Sequence, residues 1–167
     1  LDKPLKKVVA YLDPDEFKST WLGNKAIYRT RMAIDDGGEL VIIAPGLRQF
    51  GEDPDFERLI RKYGYVGSRR LTEAVSQEQD LRNNLAVAAH LIHGSSEGRF
   101  RIIYAPGNLT KEDIESVNYE YMPLSEALET YRPDMLRDGF NRTFDGDWVF
   151  YVSNPALGLW ALKENFC

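Results

Sequence analysis

GGELVIIAPG, residues 37–46, holds a continuous apolar run from Leu40 to Ala44, set between a glycine pair and a proline-glycine break. The run is too short for a helix and does not alternate, which is the pattern of a strand covered on both faces. It predicts a central parallel strand. The phrase returns as FRIIYAPG at residues 100–107, and DWVFYVSNP at residues 147–155 is a third strand ended by proline. Ligands of open parallel sheets bind beyond the carboxyl ends of the strands, so chemistry is to be sought at these three ends.

Outward from that strand, VVAYL at residues 8–12 reads as the first strand. Asp13, with Pro14 after it and Glu16 at the third position, predicts a capped helix to about Leu22, broken at Gly23. Asn24 is placed to cap a second helix from Lys25 to about Ile34, ended by the turn at residues 35–38. Asp53-Pro54 opens a helix to Tyr63 that Gly64 stops. Thr72 or Ser76 begins the next helical region, with Leu81, Leu85, Ala88 and Ile92 sharing one face toward the sheet. Thr110 and Asp113 cap a short helix, residues 119–122 form a short strand, and a helix follows from near Ser125 to Tyr131. Residues 149–153 are the last strand. The alternation predicts one α/β domain: a Rossmann-like open, mostly parallel sheet of about five strands flanked by helices.

The chain of 167 residues is long enough to bury roughly 70% of its unfolded surface. Its 28% charged and 43% apolar residues are ordinary globular values. A net charge of -5 with scattered Lys and Arg disfavours nucleic acid as a partner. No apolar run reaches the length of a membrane span. The one cysteine, Cys167, rules out an internal disulfide and fits a reducing, cytoplasmic setting. The chain opens at Leu1 with neither methionine nor signal peptide, and reads as a piece cut from a longer protein.

The familiar phosphate-binding glycine loops and the G-x-S-x-G elbow are missing. His90 and His93, three apart near a helix end, could meet one metal, but no acidic or thiolate ligand is near in sequence, and a helix carboxyl end favours histidine in any case. The metal reading is therefore set aside, and His93 stands as a surface or ligand-contacting residue. Arg29 and Arg31, two apart on the helix entering the central strand, point in different directions; one can grip a carboxylate, or both belong to a solvated face. Arg48 and Gln49 follow the first APG and Asn108 the second, at strand ends where a ligand would lie. For Asn108, turn formation is the competing reading. Tyr28 is read as core packing by its spacing to Met32. PALGLW, residues 155–160, reads either as an ordinary packed tail or as an apolar surface for another domain.

The order Asn24-Lys25-Ala26-Ile27-Tyr28, helix, Gly37-Gly38, ELVIIAPG, long helix, apolar strand and NLTKEDIESVNYEYMPLSEALETY resembles the carboxyl-terminal domain of the lactate racemase family over residues 24–132. The resemblance implies a two-domain enzyme that inverts the hydroxyl-bearing carbon of a 2-hydroxy acid through a keto acid, using a nickel-pincer nucleotide. It implies that the cofactor, the nickel and the catalytic groups belong to the amino-terminal domain, absent here, so this chain carries no catalytic or metal-ligating residue and is inactive alone. Its part is to close over the substrate. The family carries a glutamine and, three residues later, a lysine against the ligand after the tyrosine matched by Tyr28. Here those positions are Arg29 and Met32. Loss of the lysine points away from lactate to a larger acid, an aldonate such as mannonate. The resemblance and the strand-end and helix-end positions read above together give the expected substrate-contacting set: Tyr28, Arg29, Arg31, Arg48, Gln49, His93 and Asn108. The alternatives are a non-catalytic Rossmann-like binding module for a small anionic metabolite, and an interaction domain using PALGLW.

Overall fold

The computed structural model describes residues 1–166; Cys167 lies outside the described residues. Six strands form one sheet in the order β4-β3-β2-β1-β6-β5. They are β1 (Leu5–Tyr11), β2 (Ile34–Ala44), β3 (Arg101–Pro106), β4 (Glu120–Tyr121), β5 (Gly139–Arg142) and β6 (Trp148–Val152). Five pair in parallel, and β5 joins β6 antiparallel at one edge. The open, mostly parallel Rossmann-like α/β fold is therefore present, with one strand more than expected. The extra strand, GFNR, is short, half exposed and without an apolar run, so nothing in its pattern marks it.

LVIIA is central, between β1 and β3. Leu40, Ile42 and Ala44 face one core and Val41 and Ile43 the other, all fully buried, which explains the absence of alternation. The two faces are unequally covered. Helices α1 (Thr20–Gly23), α2 (Lys25–Thr30), α3 (Pro54–Tyr63), α4 (Ser68–Gln77), α5 (Gln79–Arg82), α6 (Leu85–His93) and α7 (Lys111–Ser116) pack on the first core, and α8 (Leu124–Tyr131) covers the second.

Several boundaries differ from expectation. Asp13 closes a single turn, accepting from the Glu16 and Phe17 amides, and no helix follows, because Ser19 is drawn into a parallel bridge with Gln49. Ser19 then caps α1, and Gly23 lies inside that helix. The second helix stops at Thr30, since the Ala33 carbonyl is taken by the Leu5 amide and Ile34 already pairs with Leu5. Gly37 and Gly38 are not a turn before the strand but a bulge within it: a two-residue step in β1 faces a five-residue step in β2, with Gly37 at φ +78°. The single long helix is three, because the chain breaks after Gln77 and again at Asn84, whose side chain caps α6. Leu85 thereby leaves the shared face and is 62% exposed, while Leu81 and Ala88 stay buried. The Asp53 cap, the Gly64 stop and the Thr110–Asp113 capping box form as expected.

The loops leaving the strands are stitched backbone to backbone. Gly107 donates to Ala44 at 3.0 Å, Asn108 to Leu47 at 2.9 Å, and Arg48 to Lys18 at 3.0 Å. A Cβ on Gly107 would overlap the Pro45 carbonyl, and one on Gly46 would come 2.6 Å from the Pro14 oxygen. The two APG phrases are thus explained by close loop packing.

Candidate functional site

The expected residues divide into two groups. Arg48, Gln49 and Asn108 lie in the stitched loops after β2 and β3, with Arg48 and Asn108 exposed and Gln49 held by its bridge to Ser19. Tyr28 and Arg29 lie on α2, Arg31 caps it, and His93 ends α6. Arg31 donates from Nη1 to the His93 carbonyl at 2.8 Å, beside Arg99, which reaches Asp36 and the Ile34 carbonyl at the amino end of β2. Arg31 is therefore spent in joining α2 to α6. Arg29 is exposed, and its guanidinium has no partner among the described residues. Its backbone carbonyl accepts from Trp160, which lays the PALGLW tail against α2. In that tail Pro155 is buried, whereas Leu157 and Leu159 are exposed.

His90 and His93 do not converge. His93 is exposed, 6.1 Å edge-on from the Tyr28 ring, while His90 turns inward. The Tyr28 oxygen lies 2.6 Å from His90 Nδ1, and the Tyr65 oxygen 2.8 Å from Nε2. Tyr65 continues to the Thr20 hydroxyl at 2.8 Å, which donates to the Phe50 carbonyl at 3.0 Å. Trp21 covers the imidazole with ring centres 4.5 Å apart. Burial, aided by nearby His93, pushes the His90 pKa down to about 3, so the ring is neutral. Burial also raises Tyr28 well above an ordinary phenol, against smaller opposing effects of Arg31 and Asn24, and raises Tyr65 likewise.

A second branch runs deeper. Asn24, expected to cap α2, makes no such bond. Its Oδ1 accepts from the Tyr104 hydroxyl at 2.7 Å and its Nδ2 donates to Tyr119 at 2.9 Å, which in turn donates to the Gly94 carbonyl. Tyr65 stacks on Tyr119 with centroids 4.3 Å apart. Sequence reading missed Thr20, Tyr65 and the inward role of His90. His90 and His93, three apart on α6, share a helix face by spacing, so the sequence carried no signal that one of them turns inward.

The arrangement offers a partly exposed phenol held by a buried neutral imidazole, with an unpaired guanidinium next to it in sequence. No group of three metal-ligating side chains occurs among the described residues, and none of their helices is long and apolar enough to cross a membrane.

No protein-family model matches the chain, and no curated protein matches it in sequence. Among solved structures, a Thermotoga maritima protein from the Northeast Structural Genomics Consortium superposes with a TM-score of 0.70 at 22% identity, over 93% of this chain and 36% of that one. The lactate racemase apoprotein of Thermoanaerobacterium thermosaccharolyticum superposes with a TM-score of 0.59 at 14% identity, over 96% of this chain and 36% of that one. The chain therefore spans about a third of the length of these two proteins and shares the fold of that part.

Proposed function

We propose that the chain is the substrate-closing, carboxyl-terminal domain of a nickel-pincer-dependent racemase or epimerase acting on a 2-hydroxy acid, an aldonate rather than lactate. The observation that supports this reading is the fold shared with a lactate racemase apoprotein over nearly the whole chain, on which the Asn24 to Tyr28 phrase falls at the start of α2. The donors present do not fit a nickel ligand set, because both nitrogens of His90 are already engaged by tyrosines. The pincer nucleotide, which supplies hydride chemistry when bound, belongs in this reading to the amino-terminal domain. The present residues bind and position. Arg29 takes the carboxylate through its fork, Tyr28 contacts the hydroxylated part, and the exposed Met32 replaces the family's lysine with an apolar contact.

The test is nickel analysis of the longer protein coexpressed with the pincer biosynthetic enzymes, followed by assay on aldonates and small hydroxy acids. Stoichiometric nickel with turnover supports the reading. Metal-free, inactive protein favours a second one, a binding module for a small anionic metabolite, to which the unpaired guanidinium of Arg29 is equally suited.

A further inference from the structure

We propose that the open cleft between Tyr11, Tyr151 and the end of α8 is a binding site for a primary alkylammonium group, held by the two phenol oxygens and the Asp134 carboxylate.

The cleft lies where the strand order reverses. From β1 the sheet builds outward through β2, β3 and β4 on one side and through β6 and β5 on the other. In open α/β sheets, ligands lie in the crevice at the carboxyl ends of such a pair. Tyr11 ends β1, and Tyr151, next to last in β6, pairs with Val9 of β1. Tyr11 follows Val9 by two, so both phenols stand on one face of the sheet, that of the second core. The chain leaves both strands toward the opposite face, where Leu12 and Phe17 pack after β1 and Ala156 after β6. The carboxyl end of the second face is thus left to α8 and the 3-10 turn Pro133–Met135 that follows it. Between these and the tyrosines lies a cleft of about 440 Å³, lined by Tyr11, Tyr151, Leu128, Pro133 and Asp134.

Tyr151 is 4% exposed, yet its hydroxyl has no hydrogen-bond partner among the described residues. A buried tyrosine hydroxyl ordinarily finds one. No fully enclosed side-chain polar atom is left unsatisfied among those residues, so this oxygen opens onto the cleft. The Tyr11 hydroxyl and the Asp134 carboxylate are unpartnered among them as well. Asp138, whose two oxygens are engaged by Ser153, adds its charge from nearby. Burial, and after it Asp138, Tyr11 and Asp134, push the Tyr151 pKa up to about 12, so the phenol is neutral in a negative field. Among the described residues lining the cleft there is no Lys or Arg. The site therefore repels an anion and favours a cation. An ammonium brings three N–H donors and no acceptor, which match one carboxylate and two phenol oxygens. The rings attract its charge, and Leu128 and Pro133 give its methylenes an apolar wall. The ligand is a cation on the face opposite α2, whereas the racemase reading takes an acid beside α2, so the two stand or fall separately.

Calorimetric titration of the full-length protein with n-butylammonium tests the site. Saturable binding is expected, about tenfold weaker in Asp134→Asn and several-fold weaker in Tyr151→Phe. Both variants keep the fold, since Asp134 is exposed and the Tyr151 hydroxyl has no bond to lose. Pentanoate, the same butyl chain ended by a carboxylate, is expected to give no heat of binding. Absence of saturable n-butylammonium binding, equal binding of pentanoate, or unchanged affinity in either variant overturns the proposal. Nα-acetyl-lysine methylamide carries the same ammonium chain on a peptide backbone. Binding tighter than that of n-butylammonium assigns the site to a peptide lysine, and equal or weaker binding assigns it to a free amine.

Discussion

The Tyr28 phenol and the His90 imidazole meet across the contact between α2 and α6, with oxygen and Nδ1 2.6 Å apart. His90 is thereby the junction of two tyrosines from distant parts of the chain. Replacing it by phenylalanine keeps the ring but leaves the Tyr28 and Tyr65 hydroxyls without their partner. His90→Phe is expected to cost about 2–4 kcal/mol in urea denaturation.

The same residue makes stability depend on pH. Its folded pKa, about 3, lies below the 6.5 of the unfolded chain. Between those values the unfolded state binds more protons, so stability rises with pH and is lost as pH falls from 6.5 toward 3. The lowered carboxyls of Asp80 and Asp113, held by Lys62 and Arg61, act in the same direction at lower pH. Denaturation measured at pH 7 and pH 5 should therefore show a smaller loss in His90→Phe than in the wild type, by on the order of 1–2 kcal/mol. Equal losses would mean that His90 is protonated in the fold.

What could be read in the sequence was what local chemistry decides. LVIIA, the Asp53-Pro54 helix start and the Thr110–Asp113 box each carry their signal within a few residues, and each formed. Asp13-Pro14 carried a similar signal and failed because Ser19 pairs with Gln49, thirty residues away. β5 had no signal, since an edge strand needs neither alternation nor bulk. The relay was hidden for another reason. Thr20, Tyr28, Tyr65 and His90 are each unremarkable alone, and their meaning lies in contacts between residues 25 to 62 positions apart.

The APG loops supply a prediction about the scaffold. A methyl at Gly107 would collide with the Pro45 backbone, which cannot swing aside as a side chain would. Gly107→Ala is expected to destabilise by at least about 2 kcal/mol, seen as a lower urea midpoint with an unchanged slope.

Arg29, in the last turn of α2, and Arg31, which caps that helix, should behave differently although they are two residues apart. Arg29→Ala is expected to weaken carboxylate binding by about 1.5–3 kcal/mol without changing stability. Arg31→Ala removes the bond to the His93 carbonyl and is expected to lower stability by about 1 kcal/mol. Calorimetric titration with D-gluconate, beside denaturation of each variant, separates the two roles; an unchanged affinity in Arg29→Ala would return Arg29 to the solvated face.

The most direct measurement is inversion itself, followed by proton NMR on the longer, nickel-loaded protein supplied with single epimers of several aldonates and with lactate. The account predicts that one aldonate is converted to a mixture of its two C2 epimers, faster than lactate, and that Arg29→Ala slows the conversion. Nickel-loaded protein that leaves every aldonate unchanged while racemising lactate, or that inverts neither, would contradict it.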